Sequence, residues 1–183
     1  MSRDDEQLLI QQLSDPKTQR KAFERMVREY SEQLYWQVRR IVLDHDDAND
    51  VMQNVLLKAW TRLDTFRQES RLYTWLYRIA VNESLDFERR KKNQNAVSAD
   101  DAEMGIANQL MADRYFDGNE TEAQLQEAIA QLPDVQRTVF NLRYFDDMKY
   151  SDMSNLLHTS EGSLKASYHI AVKKITEFFR QHD

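Results

Sequence analysis

The stretch DANDVMQNVLLKAWTRL, residues 47–63, decides the fold. Its apolar residues Ala48, Val51, Met52, Val55, Leu56, Ala59, Trp60 and Leu63 recur at steps of three and four, which places them on one stripe of an α-helix. That stripe reads as core. A second set at the same steps, Asp50, Gln53, Asn54 and Leu57, lies on another face, so one helix carries a core side and a side left for another use. Just upstream, Asp44-His45-Asp46-Asp47 interrupts the periodicity and offers side-chain oxygens to the unpaired amides of the helix start. His45 beside three Asp residues is not read as a metal site: adjacent loop residues rarely converge on one ion, and no second His stands at ligand spacing.

Downstream, Phe66-Arg67-Gln68-Glu69-Ser70-Arg71 breaks the helical pattern without Gly or Pro and concentrates amide and guanidinium groups. The next helix, RLYTWLYRIAVNESLDFERRKKN, is predicted to bury Leu72, Leu76, Ile79, Ala80 and either Leu85 or Phe87. It also carries Tyr73, Trp75, Tyr77, Arg78, Asn82 and the basic run Arg89-Arg90-Lys91-Lys92. Two readings of that mixture stand side by side. Aromatic faces stack on unpaired bases and cations track phosphates, which suits a single-stranded nucleic-acid platform; equally, aromatics fill cores and a basic run favours a helix C-terminus.

Composition agrees with helices throughout. The 183 residues include only 3 Gly and 2 Pro and no Cys, so breakers are scarce and disulfides and thiolate metal sites are excluded. No apolar run approaches the roughly 20 residues of a spanning helix, and MSRDDEQ is too polar for a secretory signal, so a soluble cytoplasmic protein is expected. The charge is uneven: +1 over residues 1–92, −7 over 93–127 and 0 over 128–183. A net charge of −6 disfavours nonspecific binding to phosphates, so any nucleic-acid role must be local or assisted by a partner.

Upstream of the deciding stretch, Leu8, Leu9 and Leu13 predict a short helix ending at Ser14-Asp15-Pro16, with Asp15 as cap and Pro16 as the first residue of the next helix. Phe23, Met26, Val27, Tyr30, Leu34, Val38, Ile41 and Val42 continue that helix from Lys17 to about Leu43. Beyond residue 93 periodicity fades into an acidic tether with a short helical segment at 107–111. Order returns with Ala123, Leu125, Ile129 and Leu132, then a helix started by Pro133 and carrying Val135, Val139, Phe140, Leu142 and Phe145. After a turn at Asp146-Asp147-Met148-Lys149, YSDMSNLL-HTSE-GSLKASYHIAVKKI reads as short helix, tight turn, longer helix. Met153, Leu156 and Leu157 are expected to pack on Leu164, Ile170 and Ile175, leaving Ser160, Glu161, Ser163, Lys165 and Ser167 outward. That layout fits a DNA-binding helix-turn-helix, and it also fits an ordinary helical hairpin with a polar face.

Three blocks, DANDVMQNVLLKAW, TFRQESRLYTWLYRIAVNESLDFERR and LPDVQRTVFNLRYFDDMKYSDMSNLLHTSEGSLKASYHIAVKKI, resemble in order and spacing those of bacterial RNA polymerase sigma factors of the extracytoplasmic-function (ECF) group. The resemblance covers nearly the whole chain. It implies an all-α protein of two small helical domains joined by a flexible acidic linker, the C-terminal domain a helix-turn-helix: residues 1–95 for polymerase clamp binding and melting of the minus-ten element, 96–121 as linker, and 122–183 for the minus-thirty-five element. Asp50, Gln53, Asn54 and Leu57 would dock on the clamp of the largest polymerase subunit. Phe66, Arg67, Gln68, Glu69, Ser70 and Arg71 match the loop that captures an extruded base. Tyr73, Trp75, Tyr77, Arg78, Asn82, Arg89 and Arg90 fall on the family's strand-reading helix. Arg143, Ser160, Glu161, Ser163, Lys165 and Ser167 would meet duplex DNA.

The implied partners are core RNA polymerase, through that clamp and the flap of the second subunit, promoter DNA and an anti-sigma factor. The free chain is expected to be a monomer, with no membrane insertion, no cofactor, no metal and no catalytic residue. The acidic tether would lie in cationic channels of the polymerase, which supplies the positive field that this chain lacks. The sequence departs from many relatives in having Ser167, Ile170 and Val172 where an Arg-rich recognition helix is usual, and His158 where the turn usually has Gly. Neither a dimerising heptad for a stand-alone repressor nor any of the HExxH, GxSxG or phosphate-cradling glycine motifs of hydrolases occurs.

Overall fold

The computed structural model describes residues 2–95 and 118–182. Most of the acidic tether, with its 107–111 segment, lies outside the described residues. All regular structure among the described residues is helical, and the chain divides into two compact units, 1–97 and 98–183.

The N-terminal unit contains α1 (Arg3–Ser14), α2 (Gln19–Val42), α3 (His45–Thr61), a 3-10 turn over Leu63–Thr65, and α4 (Leu72–Asn95). Helices α2, α3 and α4 pack on one another, and α1 packs on α2. Each start has a chemical reason. Asp44 caps α3 by accepting from the amides of Asp46 and Asp47 at 2.9 and 3.0 Å, as the acidic cluster predicts. Pro16 does not begin α2 as expected; a turn over residues 16–18 intervenes. Asp15 holds that turn, its carboxylate accepting from the Lys17 amide at 2.9 Å and its carbonyl from the amides of Thr18 and Gln19. Between α2 and α3, Leu43 turns the chain with φ 64°.

Most of the predicted stripe is core, but Trp60 is 41% exposed and Leu56 and Leu63 are half-buried, and on α4 the expected core residues Ile79, Leu85 and Phe87 are also only half-buried. Ala48, Val51, Met52, Val55 and Ala59 are buried, as are Met26, Leu34, Val38, Leu72, Leu76, Ala80 and Val81 from the neighbouring helices. Ion pairs tie α4 to its neighbours. Lys58 of α3 pairs with the buried Glu83, and Lys91 pairs with Asp47, a hydrogen bond that raises the Lys91 pKa and keeps the ammonium charged.

The C-terminal unit contains α5 (Glu120–Ala130), α6 (Asp134–Tyr144), α7 (Tyr150–Leu157) and α8 (Glu161–His182). Helix α5 begins with a capping box: Asn119 accepts from the Glu122 amide at 3.0 Å, and the Glu122 carboxylate accepts from the Asn119 amide at 3.1 Å. The last residues assigned to the linker are therefore the first turn of a helix. Buried Arg137 of α6 donates to the carbonyls of Ala130 and Leu132 and to Asp134, which satisfies acceptors at the end of α5 and joins the two helices. Ala128, Ile129, Leu132, Phe140, Ala171, Ile175 and Phe178 form the core, and Met153 and Leu164 close the helix-turn-helix.

Two apolar assignments in this unit are corrected here. The buried face of α8 runs through Leu164, Ala171, Ile175 and Phe178, with Tyr168 half-buried between them, so Ile170 falls off the stripe and is 43% exposed. Val135, in the first turn of α6, is 63% exposed although it shares helical spacing with the buried Val139 and Leu142.

His158 closes α7 in the left-handed region (φ 51°, ψ 41°), where a residue with a Cβ is strained and Gly is not. Replacing it should stabilise the C-terminal unit. All three tryptophans, Trp36, Trp60 and Trp75, lie in the N-terminal unit, so their fluorescence follows that unit while far-UV circular dichroism follows both. His158→Gly should add about 1 kcal/mol to the C-terminal unit. It should thus move the dichroism transition of that unit upward and leave the tryptophan midpoint where it was.

Candidate nucleic-acid interface

Because the opposite face of α3 is closed by the core, Asp50, Gln53, Asn54 and Leu57 all remain outside. Leu57 is 62% exposed, a large apolar side chain flanked by hydrogen-bonding groups on a rigid element. His45, at the head of the same helix, meets the Tyr35 hydroxyl through Nδ1 at 2.7 Å and the Asn49 amide through Nε2 at 3.0 Å, so both ring nitrogens already face protein groups.

The connector at 66–71 is irregular, as its composition predicts. Its two ends are anchored and its middle is open. Phe66 packs its ring 5.4 Å from that of Trp75. At the other end Arg71 donates through Nε to Glu6 of α1 at 3.0 Å, and the second oxygen of that carboxylate accepts from the Leu72 amide at 2.8 Å. Between the anchors Arg67, Gln68 and Glu69 are exposed, and Gln68 adopts φ 59°, an uncommon conformation for a side-chain-bearing residue. Ser70 is half-buried, its hydroxyl 3.4 Å from the Arg71 carbonyl.

On α4 the aromatic set splits. Tyr73 and Trp75 are half-buried, whereas Tyr77 is only 4% exposed and belongs to the core. Tyr73 bridges to the buried rings of Tyr30 and Tyr77, at 5.6 and 6.0 Å. Tyr77 therefore cannot offer its face to a base in this conformation, and its assignment to the strand-reading surface is corrected. The exposed side of α4 is a stripe of Arg78, Asn82, Asp86 and Arg89, with Arg90 beside it. Asp86 tempers that surface, since Arg89 lies 3.3 Å from its carboxylate and Arg90 donates to its carbonyl.

In the C-terminal unit the predicted recognition residues gather at the start of α8. Ser160 caps the helix, its hydroxyl accepting from the Ser163 amide at 3.3 Å and lying 2.9 Å from the Ser163 hydroxyl. Glu161, Ser163 and Lys165 are exposed and Ser167 is half-buried. The two cations share an organiser that sequence reasoning misses. The Arg143 guanidinium and the Lys165 ammonium lie 5.6 and 5.5 Å from the ring centre of Tyr150, and each also meets an acid, Asp147 at 2.7 Å and Glu161 at 3.6 Å. Nothing in the spacing of residues 143, 150 and 165 announces that meeting. It follows from how α6, α7 and α8 pack.

Comparison with known proteins finds one family match within each unit. Residues 26–94 match the Sigma-70 region 2 family, and residues 122–175 match the Sigma-70, region 4 family. The RNA polymerase sigma-H factor of Pseudomonas aeruginosa is 30% identical over 174 residues, spanning 91% of this chain and 89% of its own. The ECF RNA polymerase sigma factor SigW of Bacillus subtilis is 29% identical over 156 residues, spanning 81% and 83%. Among solved structures, the sigma factor RpoE in complex with the anti-sigma factor NepR from Bartonella quintana aligns with a TM-score of 0.65 at 22% identity, covering 87% of this chain and 98% of its own. CnrH in complex with the cytosolic domain of CnrY aligns with a TM-score of 0.65 at 20% identity, covering 97% and 99%. At those identities the structural likeness is one of fold.

Tyr30, in the field of Glu6 and Arg71, has its pKa pushed up to about 12 by burial and, next, by the Glu6 charge. A folded value above the unfolded one means that the native state keeps its proton where the unfolded chain gives it up. Stability from this source is complete below pH 10 and is lost as pH rises toward about 12. Urea denaturation followed by tryptophan fluorescence should therefore show the N-terminal unit weakening across that window, and Tyr30→Phe should reduce the loss.

Proposed function

We propose, on the premise that this chain belongs to the ECF sigma factors of bacterial RNA polymerase, that its two helical units divide promoter recognition between them. As a member of that family it is an alternative sigma factor that directs promoter-specific transcription. The N-terminal unit, residues 1–95, holds the polymerase clamp and opens the minus-ten element; residues 122–183 read the minus-thirty-five element and meet the flap; residues 96–121 link them. The observation that carries this division is the two-sided α3, whose inner face is fully buried while Asp50, Gln53, Asn54 and Leu57 stand in solvent on the other. An apolar anchor ringed by polar groups is the usual anatomy of a docking patch.

Base capture belongs to the connector and the outer stripe of α4. Extruding a base costs a few kcal/mol of unstacking and unpairing, offset by stacking and edge hydrogen bonds in the pocket that receives it. Reading the base and melting the duplex are thus one event, and no covalent bond is made or broken in the nucleic acid. Phe66 and Trp75 supply half-buried rings, Arg67, Gln68 and Glu69 supply exposed polar groups, and Arg78, Asn82, Arg89 and Arg90 track the strand. Duplex contact falls to Arg143, Ser160, Glu161, Ser163, Lys165 and Ser167. With few cations there, phosphate contacts are few, and binding by this unit should depend weakly on salt, by roughly one unit of log–log slope per contact.

The polymerase is the partner that makes a chain of charge −6 competent for DNA. An anti-sigma factor is a second partner, supported by the fold neighbours, which were solved in complex with the anti-sigma factor NepR and with the cytosolic domain of CnrY. Action with polymerase places the chain in the cytoplasm, and no helix among the described residues is long and apolar enough to cross a membrane.

Leu57→Glu should weaken assembly with core polymerase by about tenfold or more, the scale of a lost interface anchor, without changing the thermal midpoint of the free chain. Unaltered affinity in a fluorescence titration against core enzyme would remove α3 from the interface. Asn82→Ala, or alanines at Gln68-Glu69-Ser70, should slow open-complex formation by about tenfold, the scale of one lost base contact, and leave core binding near normal. Equal loss of both properties would mark misfolding instead.

A further inference from the structure

We propose that Glu6, on the N-terminal helix and outside the Sigma-70 region 2 match at 26–94, is the positioning residue for base capture: its carboxylate sets the pose of the connector by holding Arg71 and the first amide of α4. The inference rests on reading the connector as the base-capturing loop.

Helix α4 takes its first hydrogen-bond acceptor from a distant segment. Arg71 precedes its first residue, and the Ser70 hydroxyl lies against the Arg71 carbonyl at 3.4 Å. An unpaired amide at a buried helix start is costly, and Leu72 is fully buried. Glu6 answers that need from 66 residues away, its Oε1 accepting from the Leu72 amide at 2.8 Å. A negative charge at a helix N-terminus is also favoured by the helix dipole.

The same carboxylate is only 6% exposed, so it requires a charged partner, and Oε2 takes the Nε of Arg71 at 3.0 Å. The Arg71 side chain stays 62% exposed despite that bond, so the contact orients the guanidinium while leaving much of it open to a strand. Tyr73, next to Leu72, packs its ring 5.6 Å from that of Tyr30 on α2, with the planes tilted by 40°. With Phe66 against Trp75 of α4 at one end and Arg71 on Glu6 of α1 at the other, the loop is pinned at both ends and Arg67, Gln68 and Glu69 stand exposed between them. A captured base needs a pocket whose walls are already in place, since ordering them on binding would subtract from affinity.

Positioning differs measurably from mere structural support. Holoenzyme is assembled with wild-type, Glu6→Ala, Glu6→Gln and Arg71→Ala chains, and each is given a promoter library whose minus-ten segment is randomised; the templates it melts are sequenced. Glu6→Ala should flatten base preference at one position, lowering enrichment there by roughly tenfold, the scale of a stacked and oriented base, while preferences elsewhere survive. Arg71→Ala should act on that same position, and Glu6→Gln, which keeps an acceptor for the Leu72 amide, should retain part of the preference. A role in folding alone would lower all positions together, and that outcome, or no change in any variant, overturns the proposal. Should Glu6→Ala yield no holoenzyme, Glu6→Gln decides by the same criterion.

Alanines at Gln68-Glu69-Ser70 run in parallel separate two failures. If they shift the preference and the Glu6 variants do not, the positioning role is wrong and the connector reading stands. If they leave the preference intact, the connector reading falls and the Glu6 proposal falls with it.

Discussion

Val51, Val55 and Ala59 are sealed against α2 and α4, and a helix closed on one side in this way has its other side fixed in space before any partner arrives. The exposed stripe of α3 inherits its rigidity from that core. A docking patch carried on such an element loses little conformational entropy on binding, so its few contacts count for more. The connector and α4 depend on the same packing, because α4 completes the three-helix core and the connector hangs from its first turn.

Carboxylates and ammonium groups then specify where α4 lies. Glu6 reaches Arg71 and the Leu72 amide, Lys58 reaches Glu83, and Asp47 reaches Lys91, so the helix is held near its start, middle and end by charges on α1 and α3. Such pairs add little net stability, because removing charges from water offsets much of their attraction. Breaking one is another matter, since the abandoned partner is left poorly solvated. They therefore favour one placement of α4 over alternatives of similar hydrophobic burial. In the C-terminal unit Tyr150 has a comparable role, gathering two cations that would otherwise sample many rotamers.

Local chemistry was readable wherever cause and effect sit within one or two turns. The three- and four-residue spacing of Ala48 to Ala59 identified the core stripe, the acidic cluster at Asp44 identified a cap, and the absence of periodicity at 66–71 identified the connector. Difficulty began where a side chain has two acceptable destinations. Tyr77 and Trp75 are both aromatic residues on the same helix, yet Tyr77 is buried and Trp75 half-buried, because the distinction depends on whether α2 and α3 cover that angle of α4. Ile170 and Ala171 are adjacent and apolar, and only the phase of α8 against its neighbours selects Ala171 for the core.

By itself the sequence determined the helices, the division into two units, the two-faced character of residues 47–63 and the family, since each rests on the order and spacing of residues along the chain. Tertiary packing alone decided that Glu6 caps a helix 66 residues away, that Tyr77 is withdrawn from the nucleic-acid surface and that Tyr150 joins Arg143 to Lys165. Periodicity states which residues share a face. Only packing states what that face meets, because contacts between distant segments depend on helix placement that no local pattern encodes.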